Sequence, residues 1–190
     1  MIWPNILTVS RIGFAVLLVF LLLQNSLTGN ILAIIVFTLA SLTDFYDGYL
    51  AKKKSTISDF GKIMDPIADK ILMLSVFFVL VHLGMVALWM VILIAAREIL
   101  VTLDRLWCTC RGQVLAAEMA GKIKTVFQMI TVSLILLYLI LDQAAFANSW
   151  FYQIQKFYLG WINVFMVITV LVTVVSGVAY FQNRLKRLSS

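Results

Sequence analysis

The sequence predicts an all-α integral membrane protein, with residues 1–190 forming a single domain of six transmembrane helices. Of its 190 residues, 63% are hydrophobic and 13% are charged, and the mean hydropathy is +1.02. A soluble domain of this length does not need so much apolar surface. Apolar runs close to the ~20 residues that a helix needs to cross a bilayer recur along the chain. The predicted spans are Asn5–Leu23, Ile31–Leu50, Ile67–Leu83, Val86–Leu106, Met119–Leu141 and Phe151–Phe181.

The polar segments between these runs justify the spans in order. We expect the first span to be retained rather than cleaved, because Arg11 lies inside its start and no small-residue cleavage site follows Leu23. The second span ends at a lysine run, and the third follows it either from near Ser58 or from Asp65. The second choice would make Asp65 a helix cap, with a proline in the first helical position. Short polar segments separate the remaining three spans.

The basic residues predict the orientation of the chain. With six spans, both termini lie on one side of the membrane, and 14 of the 15 Lys and Arg residues fall on that side; only Lys156 falls on the other. Because the connecting segments are short, this basic side is expected to be cytoplasmic. The net charge of +6 favours anionic lipid headgroups or an anionic substrate. We therefore expect membrane lipids, and no nucleic acid, among the partners.

Two pairs of aspartates stand out at the cytoplasmic end of the second and third spans. Asp44 and Asp47 are three residues apart, and Asp65 and Asp69 are four residues apart. Helical residues at these spacings share one face. If the two helices pack side by side, all four carboxylates converge, and any chemistry belongs at this end of the bundle.

Four converging carboxylates need compensation. Two carboxylates about 5 Å apart repel by ~3 kcal/mol at an effective dielectric constant of 20, and an Asp at mid-bilayer costs a further ~2.5–3.5 kcal/mol. One or two divalent cations would offset this cost, and oxygen ligands favour Mg²⁺ or Mn²⁺, with Ca²⁺ as an alternative. Gly48, Ala51 and Gly61 would leave room for a substrate. For each aspartate alone, a helix cap or a solvated surface charge is the structural alternative.

The stretch from residue 44 to residue 69 resembles the signature of the CDP-alcohol phosphotransferases. That signature reads Asp-x2-Asp-Gly-x2-Ala-Arg-x(7–8)-Gly-x3-Asp-x3-Asp. Its eight fixed positions correspond here to Asp44, Asp47, Gly48, Ala51, Lys52, Gly61, Asp65 and Asp69. The one departure is Lys52, which keeps the positive charge but replaces a planar two-pronged donor with a point charge.

The resemblance implies a fold and a reaction. Members of this family are six-span enzymes, typically homodimers, that transfer a phosphatidyl or similar group from a CDP-linked donor to an alcohol and release CMP. It implies that Asp44, Asp47, Asp65 and Asp69 hold two Mg²⁺ (or Mn²⁺) ions and that Asp69 also deprotonates the alcohol. The CDP moiety would lie against the positions between these aspartates, which are Gly48, Ala51, Lys52 and Gly61.

Further segments resemble bacterial phosphatidylglycerophosphate synthases within that family. They are "PNILTVSR" (4–11), "AREILVTLDRLW" (96–107) and "GKIKTVFQM" (121–129). This resemblance implies CDP-diacylglycerol and glycerol 3-phosphate as substrates. The absence of a transit-like extension rich in Arg and Ser favours a bacterial inner membrane as the location. The cations assigned to the acceptor phosphate are Arg97, Arg105, Lys122 and Lys124.

An unpaired Arg97 inside a span would be costly, so it needs a partner. Asp104 is one candidate; Glu98 is a poor one, because adjacent residues of a helix point in different directions. A substrate phosphate is the better explanation, although a basic side chain that reaches the interface is an alternative for each of these cations.

Several alternatives stay open. Asn5, Thr8 and Arg11 lie roughly on one stripe of the first helix and either line the site or, for Asn5, cap the helix. The acceptor could be inositol phosphate, phosphatidylglycerol or serine in place of glycerol 3-phosphate. A divalent-cation transporter, or a scaffold without chemistry, is the non-enzymatic alternative.

Overall fold

The computed structural model is all-helical. It describes the backbone of residues 3–54, 59–111, 119–144 and 149–189, and the side chains of residues 10–43, 67–108, 111, 121–143 and 157–186. The helices are α1 (Trp3–Leu23), α2 (Leu27–Lys54), α3 (Asp59–His82), α4 (Leu88–Cys110), α5 (Met119–Ala144) and α6 (Ser149–Ser189).

Each predicted span lies largely on one of these helices, but several helices extend further into polar sequence. α2 continues to Lys54, α6 continues to Ser189, and α3 begins at Asp59. The alternative in which Asp65 caps the third helix is therefore wrong, and the start near Ser58 is confirmed. Hydropathy detects only the apolar part of a helix, so it misses turns that continue into water or the headgroup region.

The helices pack as a closed ring. In the described part of the chain, α1 packs against α2 and α3, α3 against α4, α4 against α6, α6 against α5, and α5 against α2. The order around the ring is thus α1, α3, α4, α6, α5, α2. Consecutive helices run in opposite directions, so the first turns of α1, α3 and α5 and the last turns of α2, α4 and α6 meet at one end, which we call the charged end.

The opposite end, the far end, is filled by a continuous apolar core. Every helix contributes to it, and its largest fully buried side chains include Leu18, Phe37, Phe77, Leu80, Ile94, Leu136 and Met166. The outer faces of the helices are also apolar, with exposed residues such as Phe20, Leu100, Leu103 and Val175. A continuous exposed apolar surface of this kind suits lipid rather than water.

Helix length and hydropathy agree with a membrane location. Among the described residues, Gly121–Gln143 and Phe157–Lys186 are long and apolar enough to cross a bilayer, and Ser10–Leu23 and Leu27–Thr43 are shorter apolar helices. The fold is thus all-helical and consistent with a membrane protein. The number of spans and their orientation stay predictions.

Neutral hydrogen bonds fix the turns at the far end. Ser26 caps α2, with its Oγ accepting from the Gly29 N–H at 3.1 Å. The Gln143 amide donates to the backbone and side-chain oxygens of Asn25 at 2.7 and 2.9 Å, which ties the end of α5 to the α1–α2 turn. Gly84, at φ +73°, ends α3 with the left-handed conformation that glycine adopts without strain.

Candidate active site at the charged end of the bundle

Charged side chains of four helices meet at the charged end. We define the Glu98 cluster as Asp69 and Lys70 of α3, Arg97 and Glu98 of α4, and Lys124 and Gln128 of α5. We define the Asp104 cluster as Asp104, Arg105 and Cys108 of α4 with Tyr180 and Arg184 of α6. Both clusters lie where a predicted cytoplasmic face would be.

Glu98 is at the centre of the first cluster. Its residue is only 2% exposed, and one carboxylate oxygen, Oε2, lies 2.9 Å from Lys70 Nζ. The other oxygen, Oε1, is in contact with Lys124 Nζ and lies 3.4 Å from Gln128 Nε2. A single buried carboxylate therefore joins α3, α4 and α5.

The Glu98 cluster has a buried side and an accessible side. Lys124 is on the buried side: it packs against Glu98 and is only 4% exposed. The side chains of Asp69 and Lys70 are 24% and 23% exposed, and Lys70 Nζ lies 3.1 Å from Asp69 Oδ2. Three basic side chains face two carboxylates among the residues that define this cluster. A ligand that reaches it meets the Asp69–Lys70 edge first.

Arg97 is held by packing as well as by charge. Its side chain is 9% exposed, and its NH1 lies 3.4 Å from Glu98 Oε1, so the two adjacent residues do make contact, though a long one. A Cβ placed on Gly177 would lie 2.9 Å from Arg97 Cγ and 3.5 Å from Arg97 Nε. Gly177 therefore provides the space through which Arg97 passes between α4 and α6.

The Asp104 cluster ties α6 to α4. Asp104 Oδ2 accepts hydrogen bonds from the Tyr180 hydroxyl at 2.8 Å and pairs with Arg184 NH1 at 3.0 Å. Asp104, which was one candidate partner for Arg97, is thus engaged by α6. Arg184 also contacts the sulfur of Cys108, a buried cysteine without a disulfide.

Arg105 lies against both neighbouring helices. Its guanidinium carbon is 5.3 Å from the centre of the Tyr180 ring, a cation–π geometry. Its NH2 group lies 3.9 Å from the position that a Cβ would take at Gly121, at the start of α5. Arg97 and Arg105 lie about two turns apart on the same helix, α4.

The predicted site residues fall into two groups. Six have described side chains: Arg11 is buried on α1, Lys122 is exposed, and Asp69, Arg97, Arg105 and Lys124 lie in the clusters above. For the others the side chains lie outside the described residues, so only their helices can be given. Those on α1 are Asn5 and Thr8; those on α2 are Asp44, Asp47, Gly48, Ala51 and Lys52; those on α3 are Gly61 and Asp65.

The predicted metal site can be compared with the structure at one ligand. Asp69 is a partly exposed carboxylate, a hard oxygen donor of the kind that Mg²⁺ and Mn²⁺ prefer. Within the described side chains, no group of three or more His, Cys, Asp or Glu residues could hold a metal ion. The other predicted ligands lie outside those side chains, so the ligand set stays a prediction that Asp69 fits by its chemistry.

Sequence reasoning missed Lys70 and the central role of Glu98. Their contacts join residues that are 26 to 30 positions apart, and spacing along one helix does not reveal such partners. One signal was present: an acidic residue in the middle of a predicted span must find a cation, because a lone buried charge is costly.

The comparisons with known proteins extend over almost the whole chain. The CDP-diacylglycerol--glycerol-3-phosphate 3-phosphatidyltransferase of Bacillus subtilis (strain 168) is 33% identical over an alignment of 199 positions, gaps included, which covers 98% of this chain and 97% of that protein. The protein of the same name from Rickettsia bellii is 32% identical, covering 94% of this chain and 93% of its own. The protein of that name from Mycoplasma pneumoniae is 31% identical, over an alignment that covers 68% of this chain and 65% of that protein.

The family assignment agrees with the aspartate pattern and with the helical bundle. The family model described as CDP-alcohol phosphatidyltransferase matches residues 1–175. That range includes the aspartate signature, the Glu98 cluster and α4 of the Asp104 cluster. The chain therefore belongs to the CDP-alcohol phosphatidyltransferase family.

Proposed function

We propose that this protein transfers the phosphatidyl group of CDP-diacylglycerol to glycerol 3-phosphate in phospholipid biosynthesis, giving phosphatidylglycerol phosphate and CMP. The observation that carries this proposal is the match, over nearly its full length, to relatives that bear the name of this enzyme. The cationic clusters at the charged end support an acceptor that itself carries a phosphate.

The acceptor phosphate would bind among the cations of α4 and α5. Arg97 and Lys124 belong to the Glu98 cluster, and Arg105 lies against the start of α5. Arginine suits phosphate because its planar guanidinium can donate two parallel hydrogen bonds. Lys122, which is exposed, would meet the phosphate from the solvent side. Serine lacks a phosphate, and it would leave these cations without a purpose.

The hydroxyl at carbon 1 of glycerol 3-phosphate would attack the β-phosphorus of the donor. A new oxygen–phosphorus bond forms, the bond to the CMP oxygen breaks, and the hydroxyl proton passes to Asp69. The partial exposure of Asp69, at the accessible edge of the Glu98 cluster, supports its role as the base. The same edge lies beside the proposed phosphate-binding cations, so both ends of the acceptor can be held at once.

The metal and donor would occupy the aspartate signature. Two divalent ions, Mg²⁺ or Mn²⁺, would be held by Asp44, Asp47, Asp65 and Asp69, and would neutralise the diphosphate and the charge that develops on the leaving group. Gly48, Ala51, Lys52 and Gly61 would hold the CDP moiety, whose acyl chains stay in the bilayer. Asn5, Thr8 and Arg11 would line the same region from α1.

We further propose that the six helices span a bacterial inner membrane, with both termini and the active site in the cytoplasm. The gathering of charge at one end of the bundle supports this orientation, since basic residues favour the cytoplasmic side. The resemblance of the signature to that of known members supports a homodimer.

The test is a direct assay of the purified protein. CDP-diacylglycerol, Mg²⁺ and labelled glycerol 3-phosphate are supplied together, and labelled lipid and released CMP are measured. We expect the two products in equal amounts. Replacement of Mg²⁺ by a chelator should stop both. A labelled lipid formed only from inositol phosphate, phosphatidylglycerol or serine would refute the proposed acceptor. Uptake of metal ions into protein-containing vesicles, without release of CMP, would favour a transporter.

A further inference from the structure

We propose that Glu98 is a positioning residue, which fixes the ammonium groups of Lys70 and Lys124 at the acceptor end of the active site. This inference rests on the proposed transfer to glycerol 3-phosphate. It adds two residues, Glu98 and Lys70, to the machinery that the aspartate signature and the basic residues suggest.

Glu98 links the helices that carry the proposed acceptor site. Lys70 of α3 reaches Oε2 at 2.9 Å, and Lys124 of α5 reaches Oε1. Oε1 accepts hydrogen bonds, and Oε2 lies at ion-pair distance from Lys70 without a hydrogen bond in the described part of the chain. Because the residue is also buried, the carboxylate is held between the two ammonium groups. Glu98 therefore sets where the two ammonium groups lie relative to each other.

Lys70 carries this constraint to the proposed base. Its Nζ lies between Glu98 Oε2, at 2.9 Å, and Asp69 Oδ2, at 3.1 Å. Asp69 and Lys70 are accessible, whereas Glu98 is not, so Glu98 acts on a substrate only through its partners. A change at Glu98 should thus reach the site where the acceptor hydroxyl and phosphate are held.

The charge balance argues for a role beyond stability. A single cation is enough to neutralise the Glu98 carboxylate. A buried ion pair often contributes little to the net stability of a protein, so stability alone does not explain why several basic side chains gather there. Here Lys70, Arg97 and Lys124 surround Glu98, with Asp69 as the only other carboxylate in the cluster as described. A group of basic side chains suits a phosphate, and Glu98 keeps the ammonium groups of Lys70 and Lys124 close together before the phosphate arrives.

A role for Glu98 as a competitor of the phosphate predicts the opposite change in the KM for glycerol 3-phosphate. If Glu98 merely competed with the phosphate for these cations, its removal would strengthen acceptor binding. The sign of the change in the KM for glycerol 3-phosphate therefore separates the two roles.

The experiment compares full-length Glu98→Gln with wild-type protein in the transferase assay. We expect the KM for glycerol 3-phosphate to rise about tenfold or more, while the KM for CDP-diacylglycerol changes by less than about twofold. Glu98→Asp keeps the charge but withdraws the carboxylate by one methylene, so its KM for glycerol 3-phosphate should lie between those of wild type and Glu98→Gln.

Thr131→Val provides the matched control. Thr131 lies on the same face of α5 as Lys124, is fully buried, and shares a hydrogen bond of 2.7 Å with Thr169. Its replacement should lower the midpoint of thermal unfolding but leave the KM for glycerol 3-phosphate unchanged. This variant measures what the loss of a buried polar contact does when no acceptor group is involved.

The outcomes are distinguishable. An unchanged or lower KM for glycerol 3-phosphate in folded Glu98→Gln overturns the inference, as does an equal rise in both KM values. If Glu98→Gln does not fold, Glu98→Asp decides, because a wild-type KM in that variant also overturns it. If wild-type protein makes no labelled lipid, the proposed function fails, whatever the variants do.

Discussion

Replacement of Gly177 by alanine tests how tightly α6 holds Arg97. The added methyl would lie 2.9 Å from Arg97 Cγ, 3.5 Å from Nε and 3.8 Å from Cδ. Carbon atoms pack best at about 3.5–4.0 Å, so the Arg97 side chain must retreat by roughly 0.6–1.1 Å. Since that side chain is almost fully buried, it has little room in which to do so.

The magnitude follows from a matched glycine on the same helix. At Gly160 no atom lies within 4 Å of an added Cβ, so Gly160→Ala should stabilise α6 by up to about 1 kcal/mol through helix propensity alone. Gly177→Ala gains the same term but adds an overpacking cost of about 1–3 kcal/mol. The two variants should therefore differ by about 1–3 kcal/mol, with the propensity term cancelled.

Two measurements check this reasoning. The midpoint of thermal unfolding in detergent should be lower for Gly177→Ala than for Gly160→Ala. Because a displacement of about 1 Å at a substrate-binding group can cost about 100-fold in rate, kcat/KM for glycerol 3-phosphate should fall at least about tenfold in Gly177→Ala only. Equal midpoints and equal kcat/KM values in the two variants would refute the claim that this contact positions Arg97.

Three further predictions concern single side chains. Asp69→Asn should lower kcat by about 10²–10⁴-fold, the usual contribution of a general base, with binding of CDP-diacylglycerol largely kept; a variant that retains most of its rate would disprove the role of the base. Gly29→Ala should destabilise the protein by about 1–3 kcal/mol, because its Cβ would lie 2.7 Å from the carbonyl oxygen of Leu21; an unfolding midpoint at or above that of wild type would contradict this. Tyr180→Phe removes the hydrogen bond of 2.8 Å to Asp104 and should cost about 1–3 kcal/mol, while the aromatic ring that faces the neighbouring arginine remains. We therefore expect a lower midpoint with little change in the KM for glycerol 3-phosphate, and a large rise in that KM would show that the hydroxyl matters for binding.

The helices were predictable because their apolar runs are long and are separated by polar segments. Their ends were less predictable. The polar stretch from Asp59 to Pro66 continues α3, although its sequence looks like a linker followed by a cap. Capping preferences are local, whereas the length of a helix at the membrane surface also depends on what packs against it, and a single sequence does not reveal that.

The candidate site, like the helices, could be predicted only in part. The order of residues in the chain predicts that the charged residues of α4 and α5 lie at one end of the bundle, but it does not identify their partners. Glu98 was expected to be a poor partner for its neighbour Arg97, and the contact between them is indeed long, at 3.4 Å. Glu98 takes its closest partners from other helices, and such pairings depend on the order of helices around the ring.

The hydroxyl pair of Thr131 and Thr169 marks a boundary inside the bundle. Gln128 and the charged groups around Glu98 lie on one side of it. On the other side, the apolar core begins with the fully buried Val132, Ile135 and Met166. Polar and charged side chains therefore give way to apolar ones along the bundle at this hydroxyl pair. Because a charged reactant would lose its hydrogen-bonding partners beyond this boundary, the chemistry of a phosphatidyltransferase belongs on the charged side of it.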